Sequence, residues 1–343
     1  MAFMRRALAS MIPLLAFFAA AAPLGAADPA IPHLPGSRDR GTEGPALPGA
    51  PFVVGEPAAF VDWSLLALGV RVEVQAPDAD VVARGLRRAF RETPEAYEKR
   101  VQDERRLRAR AAAVEAAKEA ALPLLLAMPL DSTRTVADLQ IQDPLPALLG
   151  PKTRVDVLRE IWNERLPQLQ DASLQVDAQI PIWDGTDESI GAKLLKIIEP
   201  QFGEPPETLR RMREARPRLR EGEMFVFDAR SVPARPVLFP RVVTDEGEVI
   251  YNALALRRKL LLERGPGSYS LLDQAAVIPI PHSRDASLPL VWVLPVKSVS
   301  DPATAGPAAY VVSAAEAKAF LADTRRLAAL LSGRIRFLLP KTE

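Results

Sequence analysis

RRLRARAAAVEAAKEAALPLLLAMPLDSTRTV, residues 105–136, opens as a charged helix, becomes alanine-rich and runs into two prolines and a polar turn. Taken as a helix from about Pro94, it places Leu107, Ala111, Val114, Ala117, Ala121 and Leu125 along one side at spacings of three and four. Ala109, Ala112, Ala113, Ala116 and Ala120 widen the low-volume surface and allow close approach by a sheet, a second helix or another subunit. Alanine has the highest helix propensity, and Glu104 with Arg108 makes a favourable i, i+4 pair. Pro123 is expected to end or kink the helix, and the DSTRTV stretch returns to turn-forming and extended residues.

Two flanking stretches supply what such a helix would cover. In LALGVRVEVQ, Leu68, Val70, Val72 and Val74 alternate with Gly69, Arg71, Glu73 and Gln75, the signature of a half-buried strand. ASLQVDAQIPIW repeats the pattern with Leu174, Val176, Ala178, Ile180 and Ile182 on one face. Pro181 lacks an N–H, so that end is expected at a sheet edge. Between them, Val155 to Leu166 reads as a second helix: Thr153 caps it, Asp156 favours its first turn, and Val155, Leu158, Ile161, Trp162 and Leu166 share a face until Pro167. After DGTDES, a short helix carries Ile190, Leu194, Ile197 and Ile198.

Downstream, EMFVFDARSV and VLFPRVVTDEGEVIYNA give strands, the latter a hairpin about DEG, and LPLVWVLPVKSV gives another. In the tail, Ser313 and Glu316 form an S-x-x-E capping box. One helix then presents Phe320, Leu321, Thr324, Leu327, Ala328 and Leu331 on one face. Gly333 suits its C-terminal cap, and Ile335, Phe337 and Leu339 alternate as a strand. The fold class expected is α+β: a small antiparallel sheet covered by the long Ala-rich helix, followed by a second α+β domain.

Arg5 and Arg6 before the apolar run Ala7–Ala22, with Gly25-Ala26-Ala27 behind it, read as a secretory signal cut before Asp28. A membrane anchor is the competing reading, but Pro13 interrupts the run and it falls short of roughly 20 apolar residues. The organisation expected is therefore a signal peptide (1–27), a disordered Pro/Gly-rich tether (28–58), an α+β domain (59–202), a charged linker or helix (203–222) and a C-terminal α+β domain (223–343). With 343 residues the chain can bury an ordinary core, and the absence of cysteine excludes disulfides, thiol catalysis, thiolate metal sites and acylation of an N-terminal cysteine. Its formal charge of +1 gives no global attraction to nucleic acid or anionic membrane, so any binding surface must be local.

Residue types that carry chemistry are present without the patterns that chemistry needs. His33 falls in the tether, and His282 stands between Pro281 and Ser283 with no nucleophile motif. Asp184, Asp187 and Glu188 fit a capped turn better than a calcium loop, and Asp245 and Glu246 are explained as hairpin-turn residues. Gly265 and Gly267 make neither a P-loop nor a dinucleotide fingerprint. The arginines at 210, 211, 213, 216, 218 and 220 invite an anion-binding reading, which Glu204, Glu207, Glu214 and Glu221 dilute toward a solvated linker. No catalytic, cofactor-binding or metal-ligating residue is assigned.

VDWSLLALGVRVEVQAP, the RARAAAVEAAKEAAL helix leading to MPLDSTRTVADL, and then DASLQVDAQIPI resemble, in that order, the bacterial twenty-kilodalton outer-membrane lipoprotein antigen family. That family includes flagellar assembly lipoprotein P and the N-terminal part of flagellar assembly protein T. The likeness spans roughly Phe60 to Trp183. It implies a non-enzymatic exported envelope protein with a structural or assembly role, in the periplasm and at or near the outer membrane, in some relatives around the flagellar motor. Partners expected on this basis are other envelope proteins or copies of itself, with peripheral outer-membrane association and no nucleic acid. The chain departs from lipidated members because it has no cysteine to acylate. A ligand-binding or hydrolytic protein with a site between the two domains is the alternative class.

Overall fold

The computed structural model describes residues 50–131, 133–163, 172–202, 207, 209–211, 224–273, 291–299 and 310–341. In chain order, β1 (Ala50–Pro51), β2 (Val53–Glu56), β3 (Ala59–Asp62) and β4 (Ala67–Gln75) precede α1 (Ala79–Gly85) and α2 (Pro94–Ala127). There follow α3 (Pro144–Leu148), β5 (Asp156–Asn163), β6 (Ser173–Pro181) and α4 (Ile190–Ile198). The second half comprises β7 (Met224–Asp228), β8 (Val242–Thr244), β9 (Val249–Tyr251), α5 (Arg258–Arg264), β10 (Ser268–Leu272), β11 (Val291–Pro295) and β12 (Ser298–Val299). It ends with β13 (Tyr310–Val312), α6 (Ala314–Leu321), α7 (Thr324–Leu331) and β14 (Ile335–Pro340).

The first sheet is antiparallel, in the order β2-β3-β4-β6-β5, with α2 packed on β3, β4 and β6. This is the α+β arrangement expected. Val70 pairs with Ala178, Val72 with Val176 and Val74 with Leu174, so the apolar sets of the two long strands share a face. On the other face, Arg71 and Asp177 form an ion pair at 2.6 Å.

Five expectations are corrected here. The tether does not run to residue 58: β1 and β2 lie within it, β2 pairing with β3 and β1 with β10. The second helix, expected over 155–166, is a strand from 156 to 163. Its β-branched and aromatic residues suit a pleated surface, and β6 offers it a complete ladder. Pro181 belongs to an interior strand rather than an edge strand, but the β5 ladder stops at Gln179, so the missing N–H costs no bond there. The buried stripe of α2 is Val101, Arg105, Ala109, Ala113, Ala117, Ala121 and Leu125, with Lys118 buried beside it, while Leu107 is 61% exposed, Ala111 is exposed and Val114 is half-buried. A strict spacing of four advances about 40° per step, so the stripe winds around the helix axis. It meets the expected face only from Ala117 onward. The helix also continues through Pro123 to Ala127.

In the second half, β10, β14, β7 and β11 run parallel, with β1 antiparallel on the outer edge of β10. Such strands read as nearly continuous apolar runs because both faces are covered. Phe227 and Tyr269 stack on Phe337 at 4.9 and 5.3 Å. A smaller sheet, β12-β13-β8-β9, contains the hairpin about Asp245-Glu246-Gly247. The tail is two helices, not one: Asp323 ends the first region and caps α7 by accepting from Arg325 N (2.8 Å) and Arg326 N (3.3 Å). Ser313 occupies the N-cap of α6 without a capping bond; Ala314 N donates instead to Asp245 Oδ1 at 2.9 Å. The hairpin turn lies beside β13, where Asp245 N donates to Val312 O, so its carboxylate is within reach. One buried cluster runs from Val61 through Leu125 and Trp183 to Phe337 and Leu339, so both halves share a core.

Candidate functional site

The DST turn that follows α2 forms the joint between the two halves. Asp131, 7% exposed, accepts from Thr133 N (2.9 Å), Thr133 Oγ1 (2.7 Å) and Arg134 N (3.0 Å) on one carboxylate oxygen. Its other oxygen accepts Arg134 Nε (2.9 Å) and Nη2 (2.6 Å). Burial pushes this carboxyl's pKa upward, but the bonds from Thr133 and Arg134 outweigh it and hold the pKa below the ordinary range. Arg134 Nη1 then donates to Gln201 Oε1 at 2.7 Å. The turn's backbone is also committed: Leu238 N donates to Pro129 O (2.8 Å) and Phe239 N to Leu130 O (3.1 Å). Phe239 packs against Trp183 and Phe202, with ring centroids 5.9 Å apart in both pairs.

A cleft opens at this joint, walled by Leu130, Ile198, Phe202 and Phe239, with Arg241 at its side. It leaves about 20 Å³ for a water-sized guest, against the roughly 300–1,000 Å³ of a small-molecule pocket. Its chemistry is that of a small apolar notch rimmed by Arg241 and by the Asp131, Arg134 and Gln201 side chains already bonded to one another.

A second polar constellation lies at the carboxyl ends of the parallel strands, the edge where open α/β sheets take ligands. Arg230 grips Asp228 with Nε to Oδ1 and Nη2 to Oδ2, both at 2.8 Å, and its Nη1 donates to Asp273 O at 2.9 Å. The bond to Asp228 raises the Arg230 pKa against the opposing effect of burial. Arg230 therefore ties the end of β7 to the end of β10.

The residues weighed from sequence take structural positions. Asp184 accepts from Thr186 N and Oγ1 in a capped turn, Asp187 pairs with Arg258, and Glu188 lies 3.6 Å from Lys152. Asp245 caps α6, and Glu246 is exposed in the hairpin. Gly265 and Gly267 sit against Trp183 and Phe337. Arg210 and Arg211 both pair with Glu207. His33, His282 and the arginines at 213, 216, 218 and 220 lie outside the described residues. Among the described residues no group of three or more His, Asp or Glu is placed to hold a metal. The Asp131–Arg134 and Asp228–Arg230 pairs went unread in the sequence, although D-x-T-R and D-x-R mark them, because nothing local says whether such acids are buried.

Residues 225–341 match the model of a family described as Treponema pallidum Tp0624, second domain. The match starts in β7 and ends just past β14, about a third of the chain, and takes in the parallel sheet apart from β1. No curated protein matches the chain.

Proposed function

We propose that this chain is a non-enzymatic exported envelope protein with a structural or assembly role at or near the outer membrane. The observation that carries the reading is the surplus apolar stripe on α2. Leu107 (61% exposed) and Ala111 stand outside the monomer's core, two turns and one turn respectively before half-buried Val114. Beside them Arg110 pairs with Glu160 at 2.7 Å and Arg106 lies over Trp162, so charged groups border the stripe as they border an interface core. The stripe fits a second copy or an envelope partner presenting a matching helix. The apolar run Ala7–Ala22 behind Arg5 and Arg6 supports export. No helix among the described residues is long and apolar enough to cross a membrane.

The test is sedimentation of the chain purified from native envelopes. Leu107→Asp is expected to reduce the size of the assembly while leaving the melting temperature of the fold unchanged. A wild-type chain that sediments as a monomer at every concentration, or a variant with an unchanged assembly, overturns the reading.

A further inference from the structure

Among the described residues the most exposed large apolar side chain is Phe90, at 92%. It sits at the tip of the turn between α1 and α2, in the stretch RGLRRAFR, residues 84–91, which carries four arginines and no acid. The tip is held from behind. The Tyr97 hydroxyl rests on the carbonyls of Ala83 (2.8 Å) and Leu86 (3.1 Å), and Arg100 Nη2 donates to Arg87 O at 2.7 Å. Arg88 grips Glu92 O, and Ala89 N donates to Glu92 Oε2 at 2.8 Å. Glu92, the nearest acid along the chain, is taken by Arg100 at 2.8 Å. Arg84, Arg87, Arg88 and Arg91 consequently have no carboxylate within ion-pair distance among the described residues. Arg91 adopts φ +68°, a conformation uncommon outside glycine, and its guanidinium lies 5.3 Å from the Phe90 ring. Val81 on α1, 51% exposed, adds apolar surface one turn before Arg84.

We propose that this tip docks on an anionic lipid surface, with Phe90 entering the interface and the four arginines meeting lipid phosphates. An isolated exposed apolar residue is ordinary on a soluble protein. Here a hydrogen-bonded turn presents the ring within a basic patch whose one adjoining acid, Glu92, acts on Arg88 but is ion-paired to Arg100. Guanidinium forks match phosphate oxygens, and an aromatic ring between them gains only where apolar material lies behind the headgroups. A free phosphate would satisfy the arginines and leave Phe90 in water. The proposal concerns a different surface from the α2 stripe and does not rest on the assembly reading.

The chain beginning at Asp28 is floated with phosphatidylglycerol vesicles and with phosphatidylcholine vesicles. Wild type is expected to float with the anionic vesicles, and less so as salt rises. Phe90→Ser, and separately Arg87→Gln with Arg91→Gln, should each weaken that binding by about tenfold, with unchanged thermal unfolding because all three side chains are exposed. Phe90→Trp should show a blue-shifted emission increment on anionic vesicles, quenched by brominated lipid. Failure of wild type to float, equal flotation of the variants, or binding that requires an added acidic protein overturns the proposal. Sedimentation of the Leu107→Asp chain is unaffected by either result, so the two readings fail separately.

Discussion

Leucine at Ala113 and leucine at Ala111 decide whether the winding stripe or the straight face of α2 is the buried one. Ala113 is 1% exposed and belongs to the cluster that packs α2 on the sheet; Ala111, two residues earlier, is exposed. Leucine and alanine differ little in helix propensity, so neither substitution acts through the helix itself. At Ala113 the three added carbons have no void to occupy, and overpacking of a close-packed core costs about 1–3 kcal/mol. At Ala111 the same carbons lie outside the core of the chain, with an effect on the unfolding of the single chain within about 0.5 kcal/mol. For a domain of this size about 2 kcal/mol lowers the melting temperature by roughly 4–8 °C. Calorimetry of the two variants should therefore separate them by several degrees, Ala113→Leu being the lower. Equal melting temperatures, or a lower one for Ala111→Leu, would refute the stripe.

Four further outcomes follow from the geometry. Because the folded pKa of Asp131 lies below its unfolded value, its stabilisation is complete above about pH 4 and fades as pH falls through the folded value. Asp131→Asn should lower stability by about 1–3 kcal/mol at neutral pH, and its melting temperature should fall less steeply on acidification than that of wild type. Gly265→Ala should be markedly destabilising in urea titration, since φ is +76° and a Cβ would lie 2.8 Å from Trp183 Cδ1. Gly247→Ala, at φ +86° with nothing within 4 Å, should cost only about 1 kcal/mol of backbone strain. Tyr269→Phe strips a partner from both Val237 N and Val237 O, which bond its hydroxyl at 3.1 and 2.8 Å, and should cost about 1–3 kcal/mol by thermal unfolding.

The elements legible in the sequence were those whose period stays in phase. β4 and β6 alternate without interruption across the ladder from Ala67 to Gln75, and the hairpin turn sits where DEG places it. The strand β5 does not show in the pattern because Leu158 is a bulge: Val157 opposes Ala178 before it, whereas Glu160 and Trp162 oppose Val176 and Leu174 after it. One extra residue moves the following side chains to the other face and breaks the alternation that would have identified a strand. In the first half of α2, buried Arg105 was invisible to a hydrophobicity pattern, since its burial depends on Pro77 O accepting from its Nε at 2.7 Å. The tail helix was legible as helix, but the break at Asp323 is a capping event that propensity cannot locate. At the joint, the DST turn was recognised as a turn, while its role rests on Leu238 and Phe239, about a hundred residues away.

The edge strand β1 has a consequence for how the chain reaches its final state. Ala50 and Pro51 lie opposite Leu271 and Ser270, and Tyr269 N donates to Trp63 O at 3.1 Å, so a segment made early closes the flank of a sheet made late. During synthesis that segment waits, unpaired, until over two hundred later residues have emerged, and contacts of such separation slow folding. A fragment trimmed to 225–341 would present the outer edge of β10 bare. Strand edges of that kind recruit other chains, so the trimmed piece should self-associate, and supplying residues 50–64 in cis should suppress it.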